Sequence, residues 1–130
     1  MDSQPISHKL GRFDMCLDVK DVKKSAEFYH ILGFEDVEGN IEEGWLVVAQ
    51  GNARIGLYQG HVKEPTLNFR GGDVMEISEA LREKGIEFEK GPTQNENGAS
   101  ATFKDPDGYV IFLDTHKSEK DILKTMKVQF

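Results

Sequence analysis

The chain has 130 residues, of which 16 are Lys or Arg and 23 are Asp or Glu, for a formal net charge of −7. At that length one domain is expected, with enough chain to bury a real core and no room for a second core of ordinary size. The acidic balance argues against a nucleic-acid partner, because phosphate binding needs a concentrated basic surface. A content of 38% hydrophobic and 30% charged residues is ordinary for a folded domain and too apolar for a disordered one.

Cys16 is the single cysteine, so no intrachain disulfide is possible, and a reducing compartment is expected. The segment from Met1 to Gly11 is polar and does not read as a signal peptide. No apolar run approaches the ~20 residues needed to span a bilayer. These features predict a cytoplasmic protein with no membrane partner.

The first strand signal runs from Phe13 to Val19, where apolar and polar residues alternate. Asp21 follows as an N-cap, and Val22, Ala26, Tyr29 and Leu32 recur at helical spacing on one face. Gly33 is the expected stop, since glycine accepts a positive φ without a Cβ penalty. Strands are predicted over Phe34 to Glu38, Gly44 to Ala49 and Ala53 to Gln59, with turns at Gly39-Asn40 and Gly51-Asn52.

The pattern then repeats. Asp21-Val22 with Gly33 returns as Asp73-Val74 with Gly85, at an offset of 52 residues, and Leu17 falls on Phe69 at the same offset. Leu67 and Phe69 alternate with Asn68 and Arg70 as a strand. Asp73 and Glu76 form an arrangement like a capping box, and Val74, Ile77, Ala80 and Leu81 mark a second helix. Strands are predicted over Ile86 to Lys90, Ala99 to Lys104 and Tyr109 to Asp114, and residues 91 to 98 read as a mobile loop. Module one therefore spans about residues 12–60 and module two about 65–115, each β-α-β-β-β. A short amphipathic helix over about 118–127 closes the chain. The fold class is α+β, with two such modules forming an open eight-stranded barrel-like sheet.

Alternation splits the strands into two faces. Phe13, Met15, Leu17, Val19, Ile55, Leu57, Leu67, Phe69, Ile111 and Leu113 form an apolar face that should bury the helices. Asp14, Cys16, Asp18, Trp45, Val47, Arg54, Gly56, Tyr58, Thr66, Asn68, Arg70, Ser100, Thr102, Val110, Phe112 and Asp114 form a mixed face, either solvated or lining a cleft. Cys16 suits a small buried thiol or, less simply, a nucleophile. Asp14 and Asp18 suit ion pairs with Arg54 or Arg70, or an acid-base pair. Trp45 and Tyr58 suit either stacking on a flat ligand or ordinary packing. His8, His30, His61 and His116 read as surface histidines.

Two segments carry a family resemblance. Asp21-Val22-Lys23-Lys24-Ser25-Ala26-Glu27-Phe28-Tyr29-His30-Ile31-Leu32-Gly33-Phe34 resembles the first-module signature of the vicinal-oxygen-chelate superfamily, which holds glyoxalase I, bleomycin-resistance proteins and extradiol dioxygenases. Phe103-Lys104-Asp105-Pro106-Asp107-Gly108-Tyr109-Val110-Ile111 resembles its second-module signature. The resemblance covers about residues 12 to 115. It implies two paired β-α-β-β-β modules and a homodimer. It also implies that metalloenzymes of the family hold a divalent ion on four strand positions. Those positions fall here on Asp14, Gly56, Thr66 and Phe112, and a slip of one residue brings no better ligands. One carboxylate does not supply the three or four ligands a catalytic site uses.

The expected function is therefore metal-free binding of a small molecule, similar to the bleomycin-resistance branch, with no metal and no cofactor. The expected binding set is Asp14, Cys16, Asp18, Trp45, Arg54, Tyr58, Asn68, Arg70 and Phe112. The alternative is a metal-dependent lyase or isomerase similar to lactoylglutathione lyase. The net charge favours a cationic ligand at long range, whereas Arg54 and Arg70 favour a carboxylate or phosphate locally.

Overall fold

The computed structural model describes residues 4–116. The predicted tail helix lies outside the described residues. Eight strands and two α-helices follow in the order β1 (Gly11–Asp18), α1 (Val22–Ile31), β2 (Glu35–Asn40), β3 (Trp45–Gln50), β4 (Ala53–Tyr58), β5 (Thr66–Gly71), α2 (Val74–Glu83), β6 (Phe88–Asn95), β7 (Gly98–Lys104) and β8 (Val110–His116). This is an α+β chain in which β-α-β-β-β occurs twice. It divides into two compact units. The first is Asp14–Leu67; the second joins the residues before Asp14 to those after Leu67.

Each helix is set by the same two local devices. The Asp21 carboxylate accepts from the backbone N–H groups of Lys23 (3.1 Å) and Lys24 (3.2 Å), and Asp73 Oδ1 accepts from Glu76 N–H at 3.1 Å. Such caps satisfy donors that the first helical turn leaves open, at about 1 kcal/mol each. At the other end Gly33 and Gly85 take φ of 100° and 95°. Phe34 N–H donates to Tyr29 O and Gly33 N–H to His30 O, and Ile86 and Gly85 repeat this onto Leu81 and Arg82. Both ends are Schellman motifs. The expected capping box takes a different form, because the Glu76 carboxylate is directed to His8 Nε2, 3.4 Å away.

In the first unit the strand order is β2-β3-β4-β1, antiparallel except for the parallel β4/β1 pair. Helix α1 buries Val22 and Ala26 against Leu46, Val48 and Leu57, with Leu17, Val19, Tyr29, Phe34 and Ile55 packed around them. In the second unit the order is β5-β8-β7-β6, and β8/β7 and β7/β6 are antiparallel. Helix α2 buries Val74, Ile77 and Leu81 against Ala101, Phe103 and Leu113, with Ile6 and Leu10 of the N-terminal segment on the same cluster. Burial of this kind contributes roughly 1.5–3 kcal/mol per large side chain before entropy is subtracted.

Three local expectations are corrected. Strand β2 runs through Gly39-Asn40, and the chain reverses one turn later in a short 3-10 helix, Ile41–Glu43, whose first turn Asn40 caps by accepting from Glu42 N–H at 2.9 Å. Asn40 therefore acts as a cap rather than as a hairpin corner. The segment expected as a mobile loop is largely strand. β6 continues to Asn95, and register shifts at Phe88/Lys90 and Lys90/Thr93 absorb Gly91-Pro92. Bulges on an edge strand are where proline is tolerated in a sheet. Phe13, assigned to the buried apolar face, is 39% exposed, although its ring lies 5.2 Å from that of Phe69.

Candidate functional site

The mixed face of the first unit can be built row by row from its registers. Trp45 pairs with Tyr58 across β3/β4 and with Asn40 across β2/β3, and Asp18 stands beside Tyr58 across β1/β4. Amide, indole, phenol ring and carboxylate thus form one row. The next row is Glu38, Val47, Gly56 and Cys16. Beyond it Arg54, opposite Ala49, meets Asp14.

Asp14 is fully buried, and its Oδ1 accepts from Arg54 Nε at 2.6 Å. Arg54 Nη2 also reaches Glu38 Oε2 at 3.5 Å. A carboxylate removed from water needs such a partner, so the Arg54 guanidinium is committed to two acids of its own unit. Asp14 and Asp18 lie four residues apart on one strand, about 13 Å at strand rise. Asp18 is exposed. They do not form the shared acid-base pair that the sequence left open. Cys16 is 5% exposed, in the row of Val47 and Gly56, where a thiol behaves as a small apolar side chain. The Trp45 and Tyr58 rings are parallel within 2° at 6.0 Å, and His61 stands edge-on to Tyr58 at 6.3 Å with its Nε2 2.9 Å from Glu43 O.

The second unit carries Asn68, Arg70 and Phe112. Asn68 Nδ2 donates to Asp114 Oδ1 at 2.8 Å and to Phe112 O at 3.1 Å, and Arg70 Nε lies 3.8 Å from Asp114 Oδ2. Buried Asn68 holds Asp114 in place while Arg70 balances its charge. A groove of about 290 Å³ runs beside them, lined by Thr93, Asn95, Ser100, Phe112, Asp114 and His116 among others. The sequence placed Asp114 on the mixed face but not among the binding residues, and it assigned Glu38 to no face. Strand alternation could have flagged Asp114. No local signal could have flagged Glu38, because the bulge between Asp36 and Glu38 in β2 breaks the alternation.

The four positions where the family's metalloenzymes hold an ion do not fit one here. The Asp14 carboxylate is bound to Arg54, and Thr66 Oγ1 donates to its neighbour Glu64 O at 3.0 Å. At Gly56 a Cβ would stand 2.6 Å from Tyr58 Cε2, so the tyrosine ring occupies the space of a longer ligand side chain. Phe112 offers no donor. Among the described residues no group of three or more His, Cys, Asp or Glu side chains is placed to hold a metal ion. The described histidines are scattered: His8 faces Glu76, His30 lies 2.5 Å from Asp36, His61 meets Glu43, and His116 borders the groove.

Comparison with curated proteins yields no match. Among solved structures, a Legionella pneumophila protein described as an NAD-dependent benzaldehyde dehydrogenase aligns at 23% identity and a TM-score of 0.67, over 81% of this chain and 99% of its own. A glyoxalase/bleomycin resistance protein/dioxygenase superfamily member from Vibrio splendidus 12B01 aligns at 17% identity and 0.56, over 81% and 97%. A hypothetical protein from Bacillus halodurans C-125 aligns at 15% and 0.56, over 86% and 96%. Identities this low carry the fold alone. The sequence model of the Glyoxalase/Bleomycin resistance protein/Dioxygenase superfamily matches residues 11–113, most of the chain, and the protein belongs to that superfamily.

Proposed function

We propose that this chain is a metal-free small-molecule-binding protein of the glyoxalase/bleomycin-resistance type, using Asp14, Cys16, Asp18, Trp45, Arg54 and Tyr58 on one unit and Asn68, Arg70 and Phe112 on the other. The observation that carries the reading is the commitment of the would-be ligand positions: Asp14 to Arg54, the Gly56 space to the Tyr58 ring, and Thr66 to the Glu64 carbonyl. A metal would have to break a buried ion pair and still lack side-chain ligands at Gly56 and Phe112. The polar faces retain a mix of aromatic, amide and carboxylate groups of the kind that orients small ligands.

Protein purified without chelators is expected to contain under ~0.1 equivalent of any divalent ion per chain, since an intact site would retain its metal. A stoichiometric ion, accompanied by isomerisation of a hemithioacetal, would instead place the chain with the lyases and end this reading. A metabolite at 100 times its dissociation constant is expected to add ~2.7 kcal/mol of stability, visible as a thermal shift.

The proposal extends to a homodimer in the cytoplasm. Helix α1 turns Phe28 (57% exposed), Ile31 (85%) and Leu32 (51%) outward, with Lys23 and Lys24 on one side in sequence and Glu35 and Asp36 on the other. Two copies related by a two-fold axis would cover the apolar centre and pair opposite charges. Sedimentation equilibrium is expected to give a dimer, and Ile31→Asp a monomer with unchanged unfolding. A wild-type monomer at all concentrations would reject the dimer.

A further inference from the structure

We propose that the Trp45–Tyr58 end of the first unit's polar face binds a flat organic cation, with Asp18 as its counter-charge. The inference rests on the small-molecule reading above and names a ligand class for it. The two rings are parallel within 2° and directly paired across β3/β4. Aromatic faces attract cations through their quadrupole, and indole does so best. The row that holds the rings ends in one charged side chain, the exposed carboxylate of Asp18, and in the neutral amide of Asn40 at the opposite edge.

The positive group on this face does not compete for the ligand. Arg54 sits four residues along β4 from Tyr58, about 13 Å at strand rise, and is held by Asp14 at 2.6 Å and Glu38 at 3.5 Å. The row between them, Val47, Gly56 and Cys16, carries no charge beside Glu38 and is low enough for the Tyr58 ring to lie over it, as the close approach of its Cε2 to the Gly56 Cβ position shows. Glu42 and Glu43 precede Trp45, and the Glu43 carbonyl anchors His61 against the edge of Tyr58. The aromatic end therefore combines ring faces, a side wall and the Asp18 carboxylate. An anionic ring would meet Asp18, and a neutral one would gain stacking alone.

Trp45 is the only tryptophan in the chain, so tryptophan fluorescence reports this site. The probes are N-methylquinolinium, neutral quinoline and quinoline-2-carboxylate at pH 8, with calorimetry alongside. The cation is expected to quench Trp45 and to bind about tenfold more tightly than quinoline, with the carboxylate weakest. In Asp18→Asn the advantage of the cation over quinoline is expected to fall to about threefold or less. Circular dichroism and the unfolding curve verify that this surface variant is folded. Equal binding of cation and quinoline, preference for the carboxylate, no binding of the cation, or indifference to Asp18→Asn each overturns the inference. If neutral or anionic compounds bind and the cation does not, the ligand class fails while the small-molecule reading stands. If no compound of any charge binds or shifts the unfolding temperature, both fail.

Discussion

In the first unit the acid stands on the opening strand and the base on the last: Asp14 on β1 and Arg54 on β4. In the second unit the arrangement is reversed, with Arg70 on β5 and Asp114 on β8. The positions do not correspond either. At the repeat offsets Asp14 falls on Thr66, and Asp114 falls on Tyr58. The two faces have diverged while the capped helices, the glycine stops and the apolar clusters stayed alike. A β-α-β-β-β unit thus needs its polar face neutralised but does not prescribe which strand carries which sign. The helices differ as well. α2 buries Val74, Ile77, Ser78 and Leu81, whereas α1 buries only Val22 and Ala26 and turns Phe28 and Ile31 outward.

The comparison breaks most sharply at the arginines. Arg54→Ala leaves a fully buried carboxylate without its 2.6 Å partner and is expected to cost about 3–5 kcal/mol in urea unfolding. Next come the helix stops. Gly33→Ala and Gly85→Ala force a Cβ into φ near +100° and are each expected to cost about 1–2 kcal/mol. Gly33→Ala also brings the Cβ to 2.5 Å from Gln50 Nε2, but this is the end of a flexible, exposed side chain that can shift, so the backbone strain sets the cost at both glycines. A cost at only one of the two glycines would show that the shared stop serves only one helix. The smallest effect is expected for Arg70→Ala. The Asp114 side chain keeps 19% exposure, against none for Asp14, and Asn68 still holds it at 2.8 Å, so a loss of about 1 kcal/mol is expected. Equal losses at Arg54 and Arg70 would erase the distinction between the units.

Much of the fold was legible from spacing. The offset of 52 residues, the Asp caps and the glycine stops are signals that act within a helical turn or two, and each has its counterpart in the structure. The misreadings came where short motifs have two uses. Gly39-Asn40 reads as a hairpin corner, yet Asn40 caps a 3-10 turn. Gly91-Pro92 reads as a loop, yet the bulged edge strand absorbs it. Alternation also identified the face shared by Asp14, Arg54, Trp45 and Tyr58, because side chains on a strand have a period of two whatever the strand pairs with. It could not say that Glu38 joins Arg54.

What the sequence determined by itself is the local grammar: where helices begin and end, which face of each strand is apolar, and that the plan occurs twice. These depend on backbone geometry and on neighbours a few residues away. Only the tertiary structure decided which side chains meet. Asp14 and Arg54 are separated by 40 residues and Asn68 and Asp114 by 46, and they touch because their strands are neighbours in the sheet. Strand adjacency is set by non-local hydrogen bonding and shared burial, and no residue carries that choice in its own identity.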